Sequence, residues 1–560
     1  MKVTRSEPVL VHAAAAATGA DEDEECYYLS NLDQHVAVVM KTVHVFSPSG
    51  DMGAASGGDP AAVLMEALRR VLVHYYPFQG SLAVNGGRLA VRNDRRGVPF
   101  VAADADCELE DVGDVVLAAA PEAAVQGQLV FDIEDAATLL TVQVTRFRCG
   151  GFALGVAMNH CLADGVAAAE FLRSWAETAR GAPLSVPPFL DRTVLRARPN
   201  AGLYAGQEFA EMEDVSGLAA LYSSEPRVRR AFAIDAATLA RLKQQAGQGC
   251  STFAALTAFV WRATAHAMRM APEQRTKLLF AVDCRRRLDP PLPRGFFGNA
   301  VVFACCVSAA GDLLAEPLSA AARSVRDAIE RTDDAFVRSA IGHVEATRAR
   351  APPSMTATTL VTAWNRLGFS AADFGWGEAV RSGPAELPRE EVVMFVRDAR
   401  DSGGIVVLLG LPQSCMQAFQ DAPNPSRSAD ADQGAAPCAR KRVDVIELHN
   451  DAFKKETTSE DVVMAGTENN RCMVFNRSLH TPTMDRNARV RTRGHRTVAC
   501  ADEARCTPRN QPPPARAPQL HHAPDLASPA PDLVTPSTHL LAGPWKEKPS
   551  PQPGPPHRRR

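Results

Sequence analysis

The stretch LLTVQVTRFRCGGFALGVAMNHCLADGVAAAEFLRSWAETARG, residues 139–181, decides the fold of this chain. Residues 141–147 alternate between apolar and polar side chains, and residues 152–158 form an apolar run after two glycines, which predicts a β-hairpin. A helical apolar pattern follows and ends at Gly181, a residue type common just after the last turn of a helix. The stretch therefore predicts a strand that delivers His160 to a turn, followed by a helix.

His160 lies where the second strand is predicted to end, and its imidazole can act as a general base because its ordinary pKa is about 6.5. Asp164 has two possible roles: it orients the imidazole directly, or it holds the loop through a buried arginine. The spacing leaves both roles open, since His521 and Asp525 repeat it in a Pro-rich stretch without a strand or a helix. A histidine that only packs in the core is the ordinary alternative for His160.

Two motifs resemble one known family. Residues 160–165, HCLADG, resemble the H-x-x-x-D-G signature of the plant BAHD acyltransferases, and residues 373–377, DFGWG, are similar to the second signature of that family. The resemblance implies an α/β fold with two lobes like chloramphenicol acetyltransferase, mixed sheets and a central tunnel. It also implies an enzyme that moves an acyl group from a coenzyme A thioester, as co-substrate, to an alcohol or amine.

The resemblance implies roles for individual residues. His160 is the implied catalytic base, Asp164 supports it structurally, and Thr362 donates a hydrogen bond to the oxyanion, although a strand threonine without this role is the alternative. Trp364 and Asn299, the latter in the segment FFGN, are implied to bind substrate. The implied structural residues are Arg285, which pairs with Asp164 in the family, and Asp373, Gly375, Trp376 and Gly377.

Composition excludes several functional classes. The chain has 560 residues, 46% of them hydrophobic, so it can bury large cores, and a net charge of -3 gives no nucleic-acid or membrane footprint. No apolar stretch approaches a membrane span, and no secretory signal is evident. The 13 cysteines are scattered, which argues against a structural zinc. We expect a cytoplasmic monomer without a bound cofactor, a metal or a nucleic-acid partner.

The predicted organisation has five parts. Residues 1–24 are expected to be a flexible N-terminus, 25–181 an N-terminal lobe with the histidine motif, and 182–225 a Pro-rich crossover. Residues 226–422 are expected to form a C-terminal lobe. From residue 423 the composition shifts to Arg, Pro, Ser, Thr and Asp with little periodicity, which predicts a disordered tail over 423–560.

Other strings resemble one branch of the family, the hydroxycinnamoyl transferases that feruloylate omega-hydroxypalmitate in suberin formation. They include YLSNLDQ at 28–34, PFLDRT at 188–193 and RSAI at 338–341. Ala163 and Ala167 are small for this branch and suggest a wider acceptor side. Ala363 replaces the serine common in the family, and residues 354–359 carry no charge, which favours a neutral or lipid-like hydroxyl acceptor, although Arg348 and Arg350 are close in sequence.

Two other classes remain open at this point. A condensation domain of a peptide synthetase uses a related fold, but its signature has two adjacent histidines, and Asn159 takes the first place here. A non-catalytic relative that assists fatty-acid elongation is the second alternative. The complete histidine motif and the DFGWG segment argue against it, because a protein without catalysis does not need His160.

Overall fold

The computed structural model describes residues 1–14, 25–34, 36–48, 58–113, 126–198, 206–347, 354–389 and 391–421. The predicted tail over 423–560 lies outside the described residues, as do Arg348 and Arg350. Within the described part the chain is a mixed α/β protein, as the sequence predicts, and each predicted lobe is built around a sheet that contains both parallel and antiparallel pairs.

The strands are β1 (Val3–Arg5), β2 (Val9–Val11), β3 (Cys26–Tyr28), β4 (Val39–Phe46), β5 (Ser81–Asn85), β6 (Arg88–Arg92), β7 (Val98–Ala105), β8 (Leu140–Arg146), β9 (Phe152–Asn159), β10 (Arg227–Ile234), β11 (Arg275–Asp283), β12 (Val301–Ala309), β13 (Thr358–Ala363), β14 (Arg381–Pro384), β15 (Val392–Arg397) and β16 (Ile405–Pro412). The α-helices are α1 (Pro60–Val71), α2 (Gln126–Leu129), α3 (Gly165–Ala179), α4 (Leu218–Ser224), α5 (Ala236–Ala246), α6 (Thr252–Ala267), α7 (Ala310–Ala315), α8 (Leu318–Glu330), α9 (Asp334–Thr347) and α10 (Gln413–Gln420). Short 3₁₀ turns lie at Asn31–Asp33, Tyr76–Gln79, Leu109–Val112, Arg192–Leu195, Gln207–Phe209 and Phe369–Ala371.

The N-terminal sheet has the strand order β1-β7-β8-β9-β4-β14, with β2 also paired to β7. The hairpin predicted from the sequence is confirmed as β8 and β9, which pair antiparallel with Val144 opposite Leu154. All eight residues of β9 are buried. Helices α1 and α3 cover one face, and their apolar side chains pack with those of the sheet in one core. The strand that ends at Asn159 is therefore held rigidly.

The C-terminal sheet has the order β10-β16-β15-β13-β11-β12, and β3, β6 and β5 form a separate small sheet. Helix α6 packs against the C-terminal sheet, and Trp261 is a buried member of that core. A further core joins the two large sheets directly, because β4 and β9 contribute Val45 and Ala157 while β15 and β16 contribute Met394 and Leu408. This contact fixes the facing surfaces of the two sheets.

Two features of the predicted organisation need correction. Residues 3–5 and 9–11 are strands paired with β7, so this part of the expected flexible N-terminus is ordered by main-chain hydrogen bonds. Strand β14 belongs to the C-terminal half in sequence but pairs with β4 of the N-terminal sheet, where Gly383 lies opposite Val43. The chain returns to the first sheet because the edge of β4 offers unpaired main-chain groups.

The loop that precedes β14 contains the DFGWG motif, residues 373–377, and is called the tryptophan loop below. Phe374 is buried against Phe46 and Trp175, with ring centroids at 5.8 and 5.3 Å. Trp376 contacts Phe152 edge to face at 5.2 Å. The tryptophan loop therefore packs its aromatic rings into the core of the N-terminal sheet.

Candidate active site

His160 is the first residue after β9, in a segment of residues 160–165 that we call the histidine loop. Its main-chain N–H donates to the carbonyl of Val38 at 2.8 Å. The side chain is half-buried, and its Nδ1 atom is buried without a hydrogen-bond partner of ordinary geometry among the described residues. Burial lowers the pKa of His160, against the opposing effects of Asp164, the main-chain carbonyl of His160 itself and Asn299. The imidazole is therefore neutral at neutral pH, as a general base must be.

Asp164 has one of the two roles left open by the spacing. Its carboxylate accepts two hydrogen bonds from Arg285, at 2.8 and 2.9 Å, and others from the N–H groups of Ala167 and Ala300, both at 2.9 Å. Burial raises the pKa of Asp164, but the Arg285 guanidinium and these N–H groups outweigh it and hold the pKa below its usual range. Within the described part of the chain the carboxylate makes no hydrogen bond to the His160 ring. Asp164 thus caps α3 and ties the histidine loop to the C-terminal lobe.

A small cavity of about 30 Å³ opens beside His160. It is lined by residues of β4 and β9, of the histidine loop and α3, and of the segment after β13: Met40, Thr42, Val156, Met158, His160, Ala163, Asp164, Gly165, Ala168, Leu172, Trp364 and Phe369. Of the two small residues singled out in the sequence, Ala163 lines the cavity, whereas Ala167 is buried in the core. The cavity is mostly apolar, so a polar ligand group meets few partners there.

Thr42 places a hydroxyl group in the wall of this cavity. Its Oγ1 atom lies 3.0 Å from Nε2 of His44, whose Nδ1 atom lies 2.7 Å from Oγ of Ser382. Burial lowers the pKa of His44 to about 4, so this imidazole is neutral and can donate with only one nitrogen. The chain of hydrogen bonds fixes the Thr42 hydroxyl relative to the cavity.

The C-terminal sheet supplies the other predicted site residues. Trp364 follows β13, lines the cavity, and donates its main-chain N–H to Phe395 at 2.7 Å. Thr362 lies two residues earlier in the chain, opposite Met394 of β15, and its side chain is half-buried. Successive side chains of a strand alternate between its two faces, so Thr362 lies on the opposite face from Val361. Met394, its partner in the neighbouring strand, lies on the same face of the sheet as Thr362.

Asn299, the other residue expected to contact substrate, directs its side-chain amide at protein acceptors in this structure. Its side-chain amide is buried and donates to Oδ1 of Asp33 at 2.8 Å and to the carbonyl of His160 at 2.8 Å. Both amide hydrogens are therefore directed at protein acceptors. The geometry supports an orienting role toward the histidine loop and gives no support to substrate binding by Asn299.

Sequence reasoning missed Arg192 and Asp33. Both side chains are fully buried, and Nη1 of Arg192 lies 3.1 Å from Oδ2 of Asp33. The sequence analysis included both residues in family-like strings but assigned neither a role. The sequence offers little signal for either residue. Arg192 stands in PFLDRT and Asp33 in LSNLDQ, and both strings contain other polar residues.

A second cavity, of about 1010 Å³, lies in the C-terminal half. It is bordered by α5, the first residue of α6, the segment after β13 and the loop between β15 and β16. Lys243, Arg366 and Arg397 line it, and no acidic residue is among its described lining residues. We call it the cationic cavity. Two of its lining residues, Asn365 and Arg366, directly follow Trp364 in sequence, and Trp364 lines the cavity at His160.

The described residues contain no cluster of side chains suited to hold a metal ion. None of the helices over these residues is both long and apolar enough to cross a membrane.

Known proteins resemble most of the chain. A family model described as the Transferase family matches residues 2–425. The omega-hydroxypalmitate O-feruloyl transferase of Arabidopsis thaliana is 44% identical over 436 residues, covering 75% of this chain and 92% of the relative. The fatty alcohol:caffeoyl-CoA acyltransferase of the same plant is 46% identical over 425 residues, covering 75% of this chain and 97% of the relative. The crystal structure of vinorine synthase has the same fold, with a TM-score of 0.61 at 23% identity over 74% of this chain and 96% of that one.

Proposed function

The chain belongs to the BAHD acyltransferases, and we propose that it transfers a hydroxycinnamoyl group, first of all feruloyl, from coenzyme A to a hydroxyl of an omega-hydroxy fatty acid or a fatty alcohol. Enzymes of this kind make esters of the suberin or wax type. The observation that carries the proposal is a neutral, half-buried His160 at the wall of a mostly apolar cavity lined by β4, β9, α3 and Trp364.

In the proposed reaction His160 acts through Nε2, because Nδ1 is buried. The imidazole takes the proton of the acceptor hydroxyl as its oxygen attacks the thioester carbonyl, and the hydroxyl of Thr362 donates to the resulting oxyanion. The C–S bond then breaks, and the imidazolium returns its proton to the departing coenzyme A thiolate. General-base action contributes about 10² to 10⁴ in rate, and one oxyanion donor contributes about 10² to 10³. No acyl-enzyme is formed.

The acceptor class follows from the lining of the cavity. Most of its side chains are aliphatic or aromatic, among them Met40, Val156 and Leu172, and the Asp164 carboxylate is already engaged by Arg285. Such walls favour a hydrocarbon chain over an acidic acceptor, because a buried carboxylate without a cationic partner is strongly disfavoured. The fixed hydroxyl of Thr42 is the proposed partner for an oxygen substituent of the hydroxycinnamoyl ring.

We place the phosphates of coenzyme A in the cationic cavity. Its three basic side chains, and the N-terminus of α6, provide the positive potential that phosphate groups require. Arg366→Gln should raise the KM for feruloyl-CoA about tenfold, as expected for loss of one charged contact, and leave kcat within about twofold. The proposal for this cavity fails if KM is unchanged in both Arg366→Gln and Arg397→Gln.

The proposed enzyme is a cytoplasmic monomer. All the described cysteines are free thiols, as is usual in a reducing compartment.

The test uses the purified full chain with feruloyl-CoA or caffeoyl-CoA, and offers omega-hydroxypalmitate, a long-chain fatty alcohol or shikimate. Release of free thiol and product mass are followed together. We expect esters with the two lipid acceptors and none with shikimate. His160→Ala should lower kcat/KM by about 10² or more, whereas His266→Ala, an exposed histidine of α6, should not change it. A folded protein without transferase activity toward any acceptor, or with full activity in His160→Ala, would overturn the proposal.

A further inference from the structure

Three consecutive carbonyl groups of the histidine loop are held by side chains from elsewhere. Asn299 donates to the carbonyl of His160 at 2.8 Å. Arg192 donates through Nη1 to the carbonyl of Cys161 at 3.1 Å and through Nη2 to the carbonyl of Leu162. The Nε–H group of the same guanidinium donates to the carbonyl of Phe297 at 3.0 Å. A planar fork of donors is what this arrangement needs, and arginine alone among the side chains supplies it.

Asp33 holds both of these donors. Its Oδ1 atom accepts from the main-chain N–H of Asn299 at 3.1 Å and from its amide at 2.8 Å. Its Oδ2 atom accepts from the N–H of Ser30 at 2.6 Å and lies 3.1 Å from Nη1 of Arg192. One carboxylate therefore holds both side chains that bind the carbonyls of the histidine loop, and it also balances the buried charge of Arg192.

A buried ion pair of this kind is weak evidence for stability, because the desolvation of two charges offsets most of their attraction. The presence of the buried Arg192–Asp33 pair therefore needs an explanation other than stability. Among the described residues no carboxylate forms a hydrogen bond with the His160 ring, since Asp164 binds Arg285, and so the position of the ring depends on the main chain that carries it. Asn299 and Arg192 fix this main chain by donating hydrogen bonds to its carbonyl groups.

We propose that Arg192, held by Asp33, is a positioning residue that fixes the main chain of the histidine loop and thereby the imidazole of His160 at the wall of the cavity. This inference rests on the proposed general-base function of His160. Arg192 and Asp33 touch neither substrate nor the cavity, and they act through the loop.

Gly298 provides independent support from the FFGN segment. A Cβ atom at this position would lie 3.0 Å from Nε and 3.2 Å from Cζ of Arg192, and 3.1 Å from the ring of Phe296. The segment needs a glycine here because the guanidinium occupies the space of a side chain. The carbonyl of Gly298 also accepts from Nη2 of Arg285 at 3.1 Å, so one segment contacts both buried arginines.

The experiment compares Arg192→Lys and Gly298→Ala with a matched control, Arg262→Lys. Arg262 of α6 likewise donates to three main-chain carbonyls, those of Leu313, Leu314 and Glu316, but these lie at the end of α7 in the C-terminal half. Arg192→Lys keeps the charge opposite Asp33 and loses the fork. Gly298→Ala keeps every polar group and displaces the guanidinium by a few tenths of an ångström.

Two readouts are measured in the full chain. The first is the titration of the His160 ring by NMR of histidine Cε1–H groups, with the signal assigned by its loss in His160→Gln. The second is kcat and KM with feruloyl-CoA and the preferred acceptor. The charged groups that face the ring are the carboxylates of Asp164 and Asp33 with their partners Arg285 and Arg192, and none of them changes charge in these variants.

We expect Arg192→Lys to lower kcat about 10- to 100-fold at a KM for feruloyl-CoA within about twofold, because a small displacement of the base is enough to cost this much. The His160 titration should move up toward that of a solvated histidine as the loop loosens. Gly298→Ala should change both readouts in the same direction, with a loss of about tenfold in kcat. Arg262→Lys should change neither.

A folded Arg192→Lys protein with the wild-type titration and kcat would overturn the proposal. If Arg192→Lys does not fold, Gly298→Ala decides, and an unchanged titration there overturns the proposal equally. The NMR readout needs no substrate, so it separates this inference from the proposed function. A shifted titration in a protein that transfers no acyl group would support the positioning role while rejecting the reaction.

Discussion

The histidine loop and the tryptophan loop are the two motifs that identify the chain, and they are held in opposite ways. The histidine loop depends on charged side chains distant in sequence, with Arg285 on its Asp164 carboxylate and Arg192 on its carbonyls. The tryptophan loop holds itself, because Oδ1 of Asp373 accepts from the N–H groups of Gly375 and Gly377 at 2.8 and 2.9 Å. Its two aromatic rings then attach it to the core.

The difference matches what each loop must do. A catalytic imidazole needs a position fixed from several sides, and this requirement brings polar residues into the core around the histidine loop. The tryptophan loop only has to turn the chain toward β14. Gly375 and Gly377 have φ angles of 109° and 83°, which residues with a Cβ rarely adopt, so backbone geometry explains the two glycines of the motif.

The same substitution in both loops should give the largest contrast. Asp164→Asn removes the charge that faces Arg285, whose side chain is only 14% exposed, and should lower the free energy of unfolding by about 3–5 kcal/mol. Because this variant also releases the histidine loop from the C-terminal lobe, kcat should fall at least about tenfold. Chemical denaturation and steady-state kinetics measure the two effects.

Asp373→Asn is the matched control for this prediction. Its side-chain oxygen still accepts from both glycines, and the carboxylate it replaces is 38% exposed, with Arg180 at a distance of 3.9 Å. The free energy of unfolding should change by less than about 1 kcal/mol, and kcat should be unaffected. Equal losses of stability in the two asparagine variants would show that the loops are not held differently.

The sequence predicted the local part of this picture well. Periodicity and turn residues located the hairpin of β8 and β9 and the helix after His160. These features depend on neighbours in the chain. The ion pair of Asp164 with Arg285 came from the resemblance, because spacing alone could not distinguish it from a direct contact with the imidazole.

The long-range part of the structure could not be read from the sequence. The pairing of β14 with β4 and the meeting of Asp33, Arg192 and Asn299 depend on which segments the fold brings together. A buried charge has no periodicity, and one sequence does not reveal its partner. For the same reason Asn299 was assigned to substrate, although its amide faces the carbonyl of His160.

A second contrast separates catalysis from support of the fold. Thr362→Val keeps the shape of a half-buried side chain on β13 and removes the proposed donor to the oxyanion, so kcat should fall about 10²-fold. The free energy of unfolding should change by less than about 1.5 kcal/mol, since no buried partner of its hydroxyl is lost. Thr359→Val is the control, because Thr359 lies three residues earlier on the same strand and therefore on its opposite face. An unchanged kcat in Thr362→Val would leave Thr362 a strand residue without a catalytic role.

The smallest expected effect concerns pH and distinguishes the loops without a large loss of activity. Burial lowers the pKa of His160 from its ordinary value of about 6.5. The base works in its neutral form, so kcat/KM should be constant above the folded pKa and fall as pH decreases through it. The acid limb should therefore lie below about pH 6.5, and the enzyme should keep most of its activity where a solvated histidine is half protonated.

Rates measured from about pH 5 to 8 locate this limb. Asp373→Asn should leave it in place, because the tryptophan loop contributes no group to the surroundings of the imidazole. An acid limb of kcat/KM at or above about pH 6.5 would mean that water reaches the His160 ring. The contacts that hold the histidine loop would then not keep the imidazole buried. A shift of the acid limb in Asp373→Asn would also contradict the comparison, because it would show that the tryptophan loop affects the pKa of His160.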